Sequence, residues 1–238
     1  MGDNALILGQ RVAAWCGHAP ALEEDIATAN VGLDLIGQAK MWLSLAGDVE
    51  GKGRSADDLA FLRDTRAFQN VLLVEQPNGD FGQTLMRQFL FDAWHLPMLN
   101  ALCQSTNSRV ADIAEKSAKE ARYHLNRSSD LVIRLGDGTA ESRARMQGAL
   151  DLLFPFAREL TAPDAVDESI ALHALGPRLE EVARDSDATI ATVTRDATLI
   201  LPKGPARLGG KTGRHSEEFG RLIAEMQFLP RAYPGATW

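Results

Sequence analysis

The sequence predicts an all-α protein, a helical bundle, on three observations. Apolar residues recur at steps of three and four over most of the 238 residues, and the strict alternation of a half-buried strand is hard to find. Two long periodic segments, at about 80–104 and 108–135, are joined only by "QSTNS", short enough to make them antiparallel neighbours. Stops such as "GHAP", "GDVEGKGRSADD" and "GDGT" punctuate the periodic stretches.

Taken in order, a first helix is expected at about 4–16, ending at "GHAP". A second starts near Pro20, a residue suited to a first turn, and runs to about 46. Its apolar or small row reads Leu22, Ile26, Ala29, Leu33 and Ile36. Asp57 is the expected N-cap of a helix at about 57–69, and "NVLLVEQPNGDF" reads as a connection turning at Pro77–Gly79. The long pair follows, then a helix at about 139–160 with Pro155 as an expected kink. A weak stretch at 161–176 leads to a helix near 177–198, the loop "LPKGPARLGGKTGR", a last helix at about 216–229, and a tail ending at Trp238. There is no internal repeat. The expected organisation is a single domain over 1–238, with a core bundle at about 1–160 and C-terminal helices, loop and tail at about 161–238.

The composition is that of a globular chain long enough to bury a core without staples: 45% hydrophobic and 24% charged residues. A net charge of −7 and a pI near 5.3 argue against nucleic acid as a partner. Cys16 and Cys103 form no CxxC pair, which suits a reducing cytosol. The start "MGDNALILGQ" lacks a basic n-region, Leu6 stands where myristoylation wants Ser or Thr, and no apolar run spans a bilayer. The expectation is a cytoplasmic protein that binds no membrane.

Two motifs fail. "GGKTG" at 209–213 resembles a phosphate loop, but Pro205 stands where the first glycine is required, and no strand precedes it. No G-x-S-x-G is present and neither cysteine has a nucleophile signature.

The chemistry-bearing candidates lie on the long helices. In "KEARYHLNR", Glu120 and His124 are four apart, but only His124 falls on the inward row Val110, Ala114, Ser117, Ala121, His124, Ser128, Leu131, Leu135. Glu120 sits about 100° around the helix. The preceding helix repeats these steps through Leu85, Gln88, Asp92, His95, Leu99 and Leu102, placing "DAWH" on its row. On the 20–46 helix a second inward row reads Asn30, Asp34, Gly37, Met41. The expected interior polar set is therefore Asp34, Asp92, His95 and His124, which either satisfy one another or bind a metal.

A di-iron bundle uses one Glu from each of two helices and Glu-x-x-His from the other two. Against that template the sequence offers Asp34-x-x-Gly37 and Ala121-x-x-His124, Ala14 near one lone-carboxylate position, and Asp92 at the other. Two acidic groups stand where four are wanted. A mononuclear site from Asp92, His95 and His124 is the alternative, making the chain a metal-dependent enzyme in its own right. A free-standing helical interaction module is a third class.

Longer motifs carry a resemblance: "WCGHAPALEEDIATANVGLDLIGQA" (15–39), "LLVEQPNGDF" (72–81), "FDAWH" (91–95), "KEARYHL" (119–125), "GGKTGRHSEEFG" (209–220) and "IAEMQFLPRAYPG" (223–235). Through these the chain resembles the C subunits of bacterial phenylacetyl-CoA 1,2-epoxidases, the ring-oxygenating complexes of phenylacetate degradation. The resemblance implies a ferritin-like bundle with extra C-terminal helices. It implies a non-catalytic subunit with no cofactor of its own, beside a related catalytic A subunit that carries the di-iron centre. The complex has further subunits, and a reductase with flavin and an iron–sulfur cluster supplies electrons. Ala14, Asp34, Gly37, Asp92, Ala121 and His124 then mark a degenerate di-iron site. The "GGKTGRHSEEFG" loop and the Trp238 tail either pack as C-terminal structure or drape over a neighbour.

Overall fold

The computed structural model describes residues 1–236, so Trp238 at the tip of the expected tail lies outside the described residues. Among them are ten α-helices, three short 3-10 turns and no strand, the all-α class that periodicity indicates. The chain divides into two compact units, one of residues 1–78 with the segment from Leu208, the other of residues 79–207.

In the first unit α1 (Gly2–Ala13) lies antiparallel to α2 (Leu22–Glu50). A Cβ added at Gly2 would meet Leu43, one at Gly9 would meet Ile36 and Leu35, and Gly32 faces Val12 and Ala13. These pairs run in opposite directions, and the glycines let the two backbones close up. Glu23, Glu24 and Asp25 in the first turn of α2 complement its dipole. Asp25 also accepts from the Gly17 N–H at 2.8 Å, which fixes the turn between the helices. Gly51, at φ 68°, ends α2 in the left-handed region. The short α3 (Ala56–Phe61) has Ser55 as its N-cap rather than the expected Asp57, because Ser55 and Asp58 cap each other reciprocally. The single turn α4 (Leu72–Glu75) falls within the expected connection.

The second unit is built on α5 (Phe81–Leu102) and α6 (Ser108–Gly136), followed by α7 (Ala140–Ala157), α8 (Ala165–Leu172) and α9 (Leu179–Asp196). α5 is apolar nearly all round and is buried on most of its surface, as such a helix must be. α6 is amphipathic, burying Ala114, Ser117, Ala121, His124, Ser128 and Leu131. Asn107 caps it by accepting from the Arg109 and Val110 N–H groups at 3.0 and 3.3 Å. Its last residue, Gly136, meets the Ala197 backbone beyond α9 so closely that a Cβ there would strike the Ala197 carbonyl oxygen. α7 runs two residues past Pro155 and tightens into a 3-10 turn at Arg158–Thr161. The final helix, α10 (Glu217–Ala232), belongs to the first unit, where Gln227 Nε2 donates to the Ala60 and Arg63 carbonyls at 3.1 and 3.0 Å.

One expectation is overturned. The row Leu22, Ile26, Ala29, Leu33, Ile36 is not the buried face of α2; Leu22, Ile26 and Leu33 are 70%, 54% and 70% exposed. The buried row is Thr28, Val31, Leu35, Ala39 and Trp42. Both rows are apolar at helical spacing, so periodicity could not choose between them.

Candidate functional site

The polar interior forms where α5 and α6 run antiparallel. On α5, Gln88, Asp92 and His95 fall on one face at steps of four and three, and the facing row of α6 brings Ser117, Ala121, His124 and Ser128. Asp92 is fully buried. Gln88 Nε2 donates to its Oδ1 at 2.7 Å, and Ser128 Oγ donates to its Oδ2 at 2.8 Å. Burial pushes the Asp92 carboxyl up to about 8; the bonds from Ser128 and Gln88 and the charge of Arg127 offset only part of that rise. At neutral pH the group is a carboxylic acid.

His95 is equally buried and is pushed down to about 3, by burial first and by the nearness of His124 second. It is a neutral imidazole, packed 4.7 Å from the Phe91 ring and stacked on Trp94 at 6.0 Å. His124 is buried one turn beyond Ala121. His95 Nδ1, Gln88 Oε1, Ser117 Oγ and Trp94 Nε1 are buried without a hydrogen-bond partner among the described residues.

Of the expected polar set, Asp92, His95 and His124 are interior and share the α5–α6 layer. Asp34 is corrected: it is half-buried on α2, and its neighbours Leu35 and Gln38 take the interior. The reason is the rotation of α2 noted above, which leaves Asn30 and Gly37 exposed. Ala14 is also exposed, just past the end of α1, whereas Ala121 is fully buried and offers no donor. Glu120 is half-buried, off the seam as its spacing implied.

These residues do not fit a pair of iron ions. Of the carboxylates at the template positions only Asp92 is interior, and both its oxygens are engaged by Gln88 and Ser128. Among the described residues no group of three or more His, Cys, Asp or Glu side chains is placed to hold a metal ion. That geometry does not favour the mononuclear alternative on Asp92, His95 and His124 either.

A second buried node lies in the first unit, and sequence reasoning missed it. Glu75 has no exposed side-chain surface. It accepts from His215 Nδ1 at 2.9 Å, the Ser216 N–H at 2.7 Å and Asn70 Nδ2 at 3.3 Å. His215 Nε2 donates to the Phe68 carbonyl at 3.0 Å, and Arg11 of α1 donates to the Glu75 carbonyl. The "GGKTGRHSEEFG" loop is thus self-packed: Gly210 lies against the Asn70 backbone and Gly213, at φ 75°, against Arg66. The available signal was two separate motifs, "LLVEQPNGDF" and "GGKTGRHSEEFG", each carrying titratable residues beside apolar or small ones.

No helix among the described residues is long and apolar enough to cross a membrane. A model of the family described as "Phenylacetic acid catabolic protein" matches residues 1–238. The C subunit of the 1,2-phenylacetyl-CoA epoxidase of Escherichia coli (strain K12) is 45% identical over 239 residues, covering 100% of this chain and 96% of that protein.

Proposed function

The chain belongs to the phenylacetic acid catabolic protein family, and we propose that it is a structural, non-catalytic subunit of a multicomponent di-iron oxygenase that epoxidises the ring of phenylacetyl-CoA. Full-length similarity to the C subunit of such an epoxidase supports membership of a multi-subunit enzyme. The observation that carries the non-catalytic part is the donor shortage around Asp92: one interior carboxyl, doubly hydrogen-bonded, where four carboxylates are wanted. On this reading the di-iron centre belongs to a related catalytic A subunit, flavin and the iron–sulfur cluster belong to a reductase, and the assembly works in the cytoplasm. The same reading takes 1–238 as one ferritin-like domain.

The role proposed is mechanical. Metal-ligand helices must be held to fractions of an ångström, and a second bundle packed against the first restricts their motion. The Gln88–Asp92–Ser128 bonds join α5 to α6 in one register, a use for which buried polar groups are best attested.

Two measurements test this. The purified chain, dialysed and assayed for iron and manganese, is expected to hold neither in stoichiometric amount. The catalytic partner expressed without this chain is expected to lose solubility and activity with its reductase. Two irons bound per chain here, or a partner fully active alone, overturns the reading.

A further inference from the structure

The chain has one Asn–Gly dipeptide, Asn78–Gly79, in a stretch between α4 and α5 that belongs to no helix. The other asparagines are held differently. Asn4, Asn30, Asn100 and Asn126 lie inside helices, where the following N–H is committed to the helical ladder. Asn70 is fully buried, and Asn107 caps α6. Gly79 is exposed and turns at φ 60°, and its N–H donates to no group among the described residues. Lacking a Cβ, it leaves its nitrogen open to the side chain before it. That side chain, half-buried, is an anchor: Asn78 Nδ2 donates to the Arg11 carbonyl at 2.8 Å. The Arg11 guanidinium in turn donates to the Glu75 carbonyl at 2.6 Å. Together the two bonds tie the end of α1 to the stretch after α4.

We propose that Asn78 is a site of spontaneous, backbone-assisted deamidation, which turns the anchor of α1 into an acid. The Gly79 nitrogen attacks Asn78 Cγ. The N–Cγ bond forms, the Cγ–Nδ2 bond breaks, and Nδ2 leaves as ammonia with the Gly79 amide proton. Water then opens the cyclic imide. Its addition at Cγ gives aspartate; its addition at the main-chain carbonyl carbon gives isoaspartate, with the backbone running through Cβ. Nothing is oxidised or reduced. The fold sets both the rate and the consequence. The bond to the Arg11 carbonyl restrains the carboxamide, so the folded chain reacts more slowly than the unfolded one. The product carboxylate has no N–H to give, and an acceptor then faces an acceptor. The net charge moves from −7 to −8, one acid added.

The inference is independent of the proposed function. Its test holds the full chain at 37 °C and at pH 6, 7.5 and 9 for four weeks, followed by trypsin and mass spectrometry. The peptide Ala67–Arg87 carries Asn70 beside Asn78, so one spectrum compares the two. Amide-to-acid conversion is expected at Asn78, faster at higher pH, with isoaspartate in the product and with Asn70 intact. Urea should speed it several-fold by releasing the Arg11 anchor. Gly79→Ala paired with Gln83→Ala, which clears the Gln83 side chain from the new Cβ, should slow conversion about tenfold. A Cβ at φ 60° also loosens the fold, so a purely structural effect would speed the reaction instead. Asn78→Asp, the product made directly, should lower the melting temperature by about 2–8 °C. Asn78 intact after four weeks at pH 9 overturns the proposal. So does conversion at Asn70 that keeps pace, a rate the same in urea as in buffer, or a rate indifferent to the Gly79→Ala pair. An Asn78→Asp chain that melts with wild type overturns the consequence for α1.

Discussion

Replacing His215 by Ala should be among the most damaging single changes outside the α5–α6 layer. The imidazole has two acceptors, the Glu75 carboxylate at Nδ1 and the Phe68 carbonyl at Nε2, so both nitrogens must carry protons. Burial lowers the His215 pKa, but the hydrogen bonds to Glu75 and Phe68 and the charges of Glu75 and Asp3 outweigh it, and the net shift is upward. The pair is interior, with side chains 5% and 0% exposed. Removing one partner of such a pair leaves a buried charge uncompensated and costs about 3–5 kcal/mol. The ring also stacks on Phe219 at 4.1 Å, and that contact is lost too. At about 2–4 °C per kcal/mol for a chain of this size, the expected fall in melting temperature is roughly 6–20 °C. The pH dependence has a definite sign. A histidine whose folded pKa is raised stabilises fully below its unfolded pKa of about 6.5, and the contribution is lost as pH rises through the folded value. Thermal melts followed by circular dichroism at pH 6, 7, 8 and 9 should therefore show wild type losing stability toward alkaline pH, while His215→Ala, already low, changes less. If His215→Ala lies within about 1 kcal/mol of wild type at pH 6, or the two pH curves run parallel, the imidazolium–carboxylate reading of this node is refuted.

Asp92→Asn should remove a pH effect of the same sign. A carboxyl raised to about 8 stabilises fully below its unfolded pKa of about 4, and that stability is lost as pH rises through the folded value, on the order of 5 kcal/mol in all. Urea denaturation at pH 5, 7 and 9 should find the variant gaining on wild type up to about pH 8 and level beyond it; parallel curves would mean Asp92 is already ionised. Gly136→Ala should cost about 1–3 kcal/mol, because its Cβ would press on the Ala197 backbone, which cannot rotate aside as a side chain could. A chemical-denaturation midpoint equal to wild type would show that the ends of α6 and α9 have room to separate. Added ferrous iron, under anaerobic conditions, should leave the melting temperature of the isolated chain unchanged; a rise that saturates at two irons per chain would show that the interior around Asp92 does hold a metal pair.

The two long helices of the second unit were legible because their rows were unambiguous. On α6 the outward positions are charged, so the 4–3 row through Ala121, His124 and Ser128 could only face inward. On α5 apolar residues lie on all sides, so the row through Asp92 and His95 is interior. α2 was misread because it has apolar rows on two sides, and the row through Leu22, Ile26 and Leu33 lies in the open. That error also misplaced Asp34 and Gly37, since a helix turned by one residue moves every side chain by about 100°. The Glu75–His215 node was invisible for another reason: its partners are 140 residues apart, and no local pattern encodes such a meeting.

Sequence by itself determined the all-α class, most helix ends, the interior row of α5 and α6, and the shortage of carboxylates. These are local properties, set by side-chain periodicity, by caps and by which residue types are present. Only the tertiary structure decided which apolar face of α2 is buried, that Asp92 is held as a neutral acid between Gln88 and Ser128, and that His215 closes on Glu75. Each of these depends on which surfaces exclude water together, and that is a property of packing between distant segments rather than of any stretch of chain.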